Sequence, residues 1–435
     1  MKNKLTKRFL IVAILFCSIV ANAQQTLNQV IILNEGRYDY SLQQIDKPVT
    51  VGTYNPTTNT YFVFDTIENA RFASDVVVDD ANIFVSADNV LLKYDLNTLQ
   101  LVSTQSVNGI RKLALWNNKI LLTRGEYITT YDSYFQVYNK SDLSFDYQLD
   151  TLNGPHYASD GIVIKDNIAY IAINNGFVWG GAVGIVGQVD LLNQNYLPEI
   201  SLGADGINPE NILIDNNKIY TVNNRDYSFA SISSIDISNL NVVTTNLNNA
   251  GGCQGSAFIN SKIAYQTYSE NFIGQFDVNA QSISDSLFIN RSIYAMEADL
   301  LNQRLYASET DFSSYGLVLI YSTNGSLLNA FVAGVTPGKF AFDYRNASGI
   351  NKATSDFQFL VFPNPARNEL TVACTDSDEN SSFTLTSIDG KILFRNTISG
   401  KNFVQHIDIS KYESGTYLLT LQSRNKTLVQ KVVKY

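Results

Sequence analysis

Cysteine and histidine are the scarcest chemistry in this chain, with three Cys and two His in 435 residues. Zinc sites need clusters of these ligands, so zinc chemistry is excluded. A Ser-His-Asp triad has only His156 to draw on, because His406 lies in the C-terminal region, and no G-x-S-x-G elbow accompanies it. Cys17 falls in the N-terminal leader, and Cys253 and Cys374 fall in separate regions. A disulfide framework is therefore absent, and stability must come from a packed core. Proline is sparse, at eight residues, so long strands can run uninterrupted. Beyond the leader no apolar run is long enough to cross a bilayer as a helix. Basic residues number 31 against 40 acidic ones, and this acidity repels nucleic acid and anionic lipid.

The leader has the three parts of a secretory signal. Lys2, Lys4, Lys7 and Arg8 form a basic head, Phe9 to Val20 an apolar middle, and Ala21-Asn22-Ala23 an A-x-A cleavage site. Cys17 lacks the small preceding residue of a lipoprotein signal, so no lipid anchor is expected there. Residues 1–23 are read as signal peptide, and the mature chain starts near Gln24. Loss of the leader's four basic residues takes the formal net charge from −9 to −13.

What the chain has in abundance is aromatic and β-branched residues in short runs bounded by Asn, Asp and Gly. Such runs read as strands and turns. One unit recurs. Its third strand ends in an apolar residue followed by Asp, Asn or Ser, at Tyr54-Asn55, Tyr94-Asp95, Tyr138-Asn139, Val189-Asp190, Ile235-Asp236, Phe276-Asp277 and Tyr321-Ser322. The spacings are 40, 44, 51, 46, 41 and 45 residues. That period, with four strands per copy, matches a β-propeller blade. First strands appear at Val76, Leu113, Ile162, Ile212, Ala257 and Ala298, and a seventh, Phe340 to Phe342, follows the last blade. The chain opens instead on Val30 to Leu33, a second strand lacking a first. These two orphans predict that Lys339 to Asp343 completes the opening blade and closes the ring.

The reading is an all-β chain: a seven-bladed β-propeller over 24–344, a linker over 345–356, and a small C-terminal β-sandwich over 357–435. The last region carries nine basic and seven acidic residues, so the acidity belongs to the propeller: residues 24–356, propeller and linker together, carry 18 basic and 33 acidic. Strands are predicted there at Glu369 to Cys374, Ser382 to Ser387, Lys391 to Asn396, Tyr417 to Ser423 and Leu428 to Lys434.

This C-terminal region resembles the type A sorting domain of type IX secretion. Val361-Phe362-Pro363-Asn364-Pro365 matches the family's opening, and Ile388-Asp389-Gly390-Lys391 its central turn. Tyr412-Glu413-Ser414-Gly415-Thr416-Tyr417 represents its Leu-x-x-Gly-x-Tyr, with Tyr412 in place of Leu, and Lys431-Val432-Val433-Lys434 its basic end. The resemblance implies passage across both membranes of a Gram-negative cell by the type IX machinery. Cleavage of the tail in the linker, then release or attachment to surface lipopolysaccharide, would follow.

Six of the seven loops between second and third strands carry aromatics. They are Tyr38 and Tyr40; Tyr127, Tyr131 and Tyr134; Phe177 and Trp179; Tyr227 and Phe229; Tyr268 and Phe272; Phe312 and Tyr315. Only Ala87-Asp88-Asn89 lacks them. Loops between blades add Arg71-Phe72-Ala73-Ser74-Asp75 and His156-Tyr157-Ala158-Ser159-Asp160, with Tyr294 and Glu297 in a related position. Flat rings beside hydrogen-bond donors such as Arg71, His156 and Arg225 suit a planar or sugar-like ligand. Packing of the same rings over the blade tops is the alternative. Convergence of Phe177, Trp179, Tyr227 and Phe312 on one cavity would separate the two.

Asp75, Asp160, Glu210 and Glu297 each begin a first strand, nearest the central channel. Lys112 and Lys339 occupy the same position in two other blades, and Gln254 lies close to it in another. Converging carboxylates suit Ca²⁺, although no D-x-D-x-D-G loop is present; solvation or pairing with the lysines is the other reading. A hydrolase or lyase using Asp160 or Glu297 is a second functional class, since carboxylate pairs are invisible in sequence. An adhesive or structural surface module is a third.

The propeller is also similar to the YncE-like surface propellers of the same bacteria, through Ile32-Leu33-Asn34-Glu35-Gly36 and Asn174-Asn175-Gly176-Phe177-Val178-Trp179-Gly180-Gly181. That resemblance implies ligand capture at the outer membrane, in some members of cobalamin. This chain departs from those members by lacking a lipidation Cys and carrying a sorting tail. The first expectation is an exported, non-catalytic propeller that binds a small molecule, glycan or surface partner.

Overall fold

The computed structural model describes residues 25–225, 230–247, 255–266, 272–346, 359–362, 364, 366–374, 381–398, 403–422 and 427–435. The leader, Tyr227, Gln254, Pro363 and Pro365 lie outside these residues. The described chain is all-β apart from one short 3-10 turn, Ala204–Gly206. No helix among the described residues is long and apolar enough to cross a membrane.

Up to Asn346 the strands form successive four-stranded antiparallel sheets, an arrangement consistent with a propeller. The second sheet sets the pattern with Ala73–Val78, Asn82–Ala87, Val90–Asp95 and Leu101–Ser106. Sheets beginning at Ile110–Trp116, Ser159–Lys165, Pro209–Asp215, Ser256–Ile259 and Ala295–Asp299 repeat it. In the remaining sheet the first strand comes from far along the chain. Pro337–Asn346 pairs with Gln25–Asn34 in the register Val30 to Phe342, Ile31 to Ala341, Ile32 to Phe340 and Leu33 to Lys339. Buried Asp343 reinforces the pairing by accepting from Asn28 Nδ2 and Gln29 Nε2, each at 3.0 Å, and from Arg345. That strand runs through Asn346, two residues beyond the expected boundary.

The first strands touch one another in chain order, and the last returns to the first. Strand middles are buried on both faces, because each sheet packs against two neighbours. The apolar core is accordingly divided into seams. One joins Ile31, Leu33 and Val51 to Val76, Ile83 and Val85, and another joins Phe84 and Leu91 to Leu113 and Ile120. The series ends where Tyr306, Val318 and Ile320 meet Val30, Ile32 and Tyr54. Each fully buried large side chain contributes about 1.5–3 kcal/mol.

The Asp or Asn that closes a third strand folds the chain back. Asp95, Asp190, Asp236 and Asp277 each accept backbone N–H groups two or three residues on, the Asx turn that the repeat encodes. Those hydrogen bonds hold the Asp95 and Asp277 carboxyls below the usual range. The Tyr38 loop differs from the expectation, because Arg37–Asp39 and Gln44–Lys47 form a separate two-stranded hairpin.

The C-terminal region holds two further sheets. One contains Phe359–Phe362, Glu369–Cys374 and Phe403–Asp408; the other is ordered Ile392–Ile398, Ser381–Ser387, Gly415–Gln422, Thr427–Lys434. Seven strands replace the five predicted. The additions are Phe359–Phe362 and Phe403–Asp408, and Leu370, Val372 and Ile407 of their sheet share one apolar cluster with Phe383, Leu385, Leu419 and Val432 of the other.

Candidate functional site

In four of the first strands the charged residues at the second or third position fall where the ladder is irregular. Register shifts fall between Ala73 and Asp75, Ile110 and Leu113, Ser159 and Ile162, and Pro209 and Asn211. A bulge re-aims a side chain that strict alternation would send into a seam. Ser74, Arg111, Lys112, Asp160 and Glu210 all lie in these irregular steps, and all line a cavity of about 610 Å³. Glu35, Phe72, Phe177, Asn208, Ser256, Tyr294 and Lys339 complete its inner wall, and Tyr40 and Tyr127 stand at the exposed rim. A side chain at Gly338 would collide with the Glu35 carboxylate, so glycine is what lets Glu35 reach the wall.

Burial dominates the electrostatics. It raises the Glu35 carboxyl, against the opposing effect of Tyr294, whose hydroxyl sits 2.9 Å from both carboxylate oxygens and donates to them. Burial likewise raises Glu210 to about 7, with Asp160 adding to the rise and the Asn224 amide, donating at 3.0 Å, opposing it. Burial, Lys339 and Arg111 depress Lys112, whose Nζ donates to the Ser74 carbonyl at 2.8 Å. Burial works against charge on Lys339 too, but Asp75, Glu297, Asp160 and Glu35 outweigh it and hold that ammonium above its usual value.

Two arginines flank Phe72, with guanidinium carbons 5.3 Å (Arg71) and 6.0 Å (Arg111) from the ring centroid. Arg71 is fully engaged. It donates to Asp88 from Nε at 2.8 Å and from Nη2 at 2.6 Å, and to Glu126 from Nη2 at 2.9 Å. Arg111 is loosely held. Its nearest carboxylate is Asp160 at 3.9 Å, Nη1 lies 3.4 Å from Ser74 Oγ, and its other face covers Phe177 at 5.0 Å. Arg111 Nε, Asp160 Oδ1, Asn208 Oδ1 and Ser256 Oγ are buried with no hydrogen-bond partner. Four unmet polar atoms along one wall run against the usual satisfaction of buried groups.

Of the residues singled out from sequence, Tyr40, Arg71, Tyr127, Phe177, Asp160 and Glu210 meet at this cavity. Others do not. Trp179 is 92% exposed and outside the lining, Phe312 packs edge-on against Tyr294 at 5.2 Å, and Tyr38 packs edge-on against Tyr40 at 5.0 Å. His156 and Tyr157 contact each other at 6.4 Å, Arg225 pairs with Asp205 at 2.8 Å, and half-buried Phe272 is not in the wall. The four rings whose convergence would separate binding from packing do not converge, since Phe177 alone of the described three reaches the cavity. Tyr134 is buried and Tyr131 stacks on Arg124 at 4.1 Å, so those two rings serve packing. Asp75 and Glu297 turn to the backbone. Asp75 accepts from the Val76 and Leu113 N–H groups, Glu297 from Ala298, and their charge reaches the cavity through Lys339. Among the described residues no group of three or more His, Cys, Asp or Glu is placed to hold a metal ion.

Glu35, Arg111, Asn208 and Ser256 were not assigned to a site from sequence, and Lys112, Lys339 and Tyr294 were placed there only by position. The matching strand position of Lys112 and Lys339 was the available signal. Arg111 and Asn208 had none, because the ladder irregularity at Arg111 and the left-handed backbone of Asn208 (φ 58°) leave no mark in the pattern.

In the C-terminal region Asn364 joins both ends of the motif set. Its Nδ2 donates to the Lys431 carbonyl at 2.7 Å and its Oδ1 accepts from Val433 N at 2.8 Å. Gly390 takes φ 86° in the central turn, Gly415 opens a strand, and buried Tyr417 donates to the Glu413 carbonyl.

Residues 360–435 match the secretion system C-terminal sorting domain family. This tail marks the chain for export by type IX secretion, to the cell surface or the medium, and implies contact with that machinery. No curated protein matches the chain. Among solved structures, the extracellular domain of a one-component system from B. thetaiotaomicron is similar at 11% identity and TM-score 0.50, covering 95% of this chain and 59% of its own. The extracellular domain of a hybrid two-component system from the same organism is similar at 10% identity and TM-score 0.50, covering 93% and 57%. Hydrazine synthase of Kuenenia stuttgartiensis is similar at 13% identity and TM-score 0.50, over 65% of this chain and 90% of its own. The chain thus spans less than two thirds of the first two, and at these identities the likeness is one of fold.

Proposed function

We propose that this chain is an exported surface or secreted protein whose seven-bladed propeller, residues 24–344, binds a small molecule, glycan or surface partner without chemical turnover. Residues 1–23 are its signal peptide, 345–356 its linker, and 357–435 a β-sandwich cleaved off after transit, with the rest then released or attached to the cell surface. Seven four-stranded sheets and their cyclic contacts support the blade count. Two sheets sharing one apolar cluster support the sandwich. The observation that carries the binding reading is the cavity of about 610 Å³ lined by Glu35, Arg111, Lys112, Asp160, Glu210, Lys339 and the Phe177 ring. That volume suits a ligand larger than a single ion. Glu35 and Phe177, both in the segments that resemble YncE-like propellers, line the cavity and support that kinship. The test is thermal stabilisation of the purified chain across small-molecule, corrinoid and glycan panels. Stabilisation that disappears in Arg111→Ala supports the reading, and none that depends on Arg111 refutes it.

A hydrolase or lyase is the second reading. Glu210, raised to about 7 in the same wall as Glu35, has the character of a general acid at neutral pH. Turnover that is lost in Glu210→Gln while ligand binding persists would establish it over the first.

A further inference from the structure

We propose that the cavity takes a small organic acid by its carboxylate, held between the Arg111 guanidinium and the Lys112 and Lys339 ammoniums. This rests on the reading of the cavity as a binding site and names the ligand class.

Three cations line the cavity without a close counter-charge. Arg111 comes no nearer than 3.9 Å to a carboxylate, that of Asp160, and among the described residues neither Lys112 nor Lys339 forms an ion pair. Elsewhere in this acidic propeller cations are closely matched: Lys119 with Asp146 at 2.7 Å, Lys140 with Asp79 at 2.9 Å, Arg345 with Asp343 at 2.7 Å. Arg71, in the same wall, is held by Asp88 and Glu126. The trio also repels itself. After burial, Lys339 is the strongest influence against charge on Lys112, and Arg111 adds to it. A negative charge set among the three relieves that repulsion.

The donors have room to accept it. The Arg111 guanidinium is gripped by its faces, with its carbon 5.0 Å from the Phe177 centroid and 6.0 Å from that of Phe72. A side chain at Gly125 would strike Phe177, so glycine there lets that ring seat against the arginine. Face contacts leave the Nη edge for ligand, and its planar fork matches the two oxygens of a carboxylate. Nη1 has only a long 3.4 Å contact with Ser74 Oγ. Arg111 Nη2 and Lys339 Nζ make no hydrogen bond among the described residues, and unlike Arg111 Nε neither is sealed from the cavity. Lys112 spends one of its three N–H groups on the Ser74 carbonyl at 2.8 Å.

The carboxyls in the wall do not cancel this site. Burial raises Glu35 and brings Glu210 to about 7. Once protonated, a carboxyl offers an anion a donor and no repulsion. Asp75, Glu297 and Asp160 still act on Lys339, so a second negative charge on the ligand meets repulsion that a first does not. A monocarboxylate therefore fits better than phosphate or sulfate. The cavity of about 610 Å³ exceeds one carboxylate, and exposed Tyr40 and Tyr127 at its rim offer ring surface to an apolar or aromatic body. The charged groups acting on Glu210 are Asp160, Lys112 and Arg111. As pH rises through about 7, Glu210 gains charge beside the same cations and competes with the ligand, so affinity should fall.

The experiment is isothermal titration calorimetry on the purified chain at constant ionic strength. The probes are phenylacetate, indole-3-acetate, hexanoate and galacturonate, each beside its neutral primary amide, with inorganic phosphate, sulfate, maltohexaose and cyanocobalamin as further arms. At least one carboxylate should bind, roughly tenfold or more tighter than its amide. Its affinity should drop roughly tenfold or more in Arg111→Ala and in Lys339→Met, and Trp179→Ala should leave it unchanged. At about pH 8 the Glu210→Gln variant should bind it more tightly than the parent does. The acid-against-amide comparison needs no variant, and thermal melts show whether each variant is folded. If phosphate, sulfate or a neutral probe binds instead and loses affinity in Arg111→Ala, the carboxylate class falls while the cavity remains a binding site. Carboxylate binding indifferent to both Arg111 and Lys339 overturns the assignment to this cavity, and no binding by any of the four acids overturns the proposal itself.

Discussion

The seams between sheets and the cavity at the ends of the first strands are built from the same strands under opposite rules. In the seams, strand alternation sends Val, Ile, Leu and aromatic side chains against a neighbouring sheet, where Ile83, Val85, Leu121 and Ile171 are wholly buried. In the cavity, a ladder irregularity at the same strands turns Arg111, Lys112, Asp160 and Glu210 toward one space, and two of their polar atoms, Arg111 Nε and Asp160 Oδ1, go unmet. Regular alternation produces stability, and its local failure produces a charged wall. Arg71 and Arg111 show the contrast on a small scale: they share the Phe72 ring, yet one is locked by two carboxylates and the other is free to exchange partners.

The heaviest blow to the seams would be removal of their closing strand. Ending the chain at Thr336 uncovers Val30, Ile31, Ile32 and Leu33, all buried against Pro337–Asn346 or its neighbours. The cooperative thermal transition followed by circular dichroism should vanish; a retained transition would show that the ring does not depend on closure. Next comes a single seam residue. Phe84→Ala should cost about 3–5 kcal/mol in denaturant unfolding, since Phe84 is fully buried between two sheets.

The arginine pair gives the sharpest comparison. Arg71→Ala leaves buried Asp88 without its bidentate partner and should cost about 1–3 kcal/mol. Arg111→Ala removes ring contacts, a 3.9 Å ion pair and a long 3.4 Å hydrogen bond to Ser74 Oγ, and should cost below about 1 kcal/mol. Equal losses in the same denaturant assay would erase the distinction between locked and available. Trp179→Ala, at a site 92% exposed, should fall within about 0.5 kcal/mol of the parent.

A pH dependence also follows from the cavity. The Glu210 carboxyl titrates near 7 when folded and in the ordinary carboxyl range when unfolded. Between those values the folded state holds the extra proton. The group's contribution is therefore fully present below about 4.5 and is lost as pH rises through about 7. Glu210→Gln should flatten that stretch of the melting-temperature profile. An unchanged slope would move the effect to Glu35 or Glu297, which burial also raises.

Much of the frame was legible because its cause is local. Tyr94-Asp95 and Phe276-Asp277 mark strand ends since an Asp side chain caps its own turn, and the orphan strands at Val30 and Phe340 announced each other by the missing partner of each. The site was legible only in part. Asp160, Glu210, Arg71 and Phe177 were found because they recur at strand starts or in aromatic loops, whereas Trp179 and Phe312 share that pattern and lie off the cavity. Side-chain direction within a loop depends on contacts distant in sequence, such as Tyr294 with Phe312, and the aromatic pattern is identical either way.

The chain's order of residues alone determined its repeat, its turn chemistry, its acidic balance and its sorting tail, because each is set by neighbours within a few positions. Tertiary structure decided which charged side chains share one space and which of them go unpaired. Those outcomes depend on bulges in separate sheets brought together around a ring, and nothing within a single repeat encodes the distance to the next.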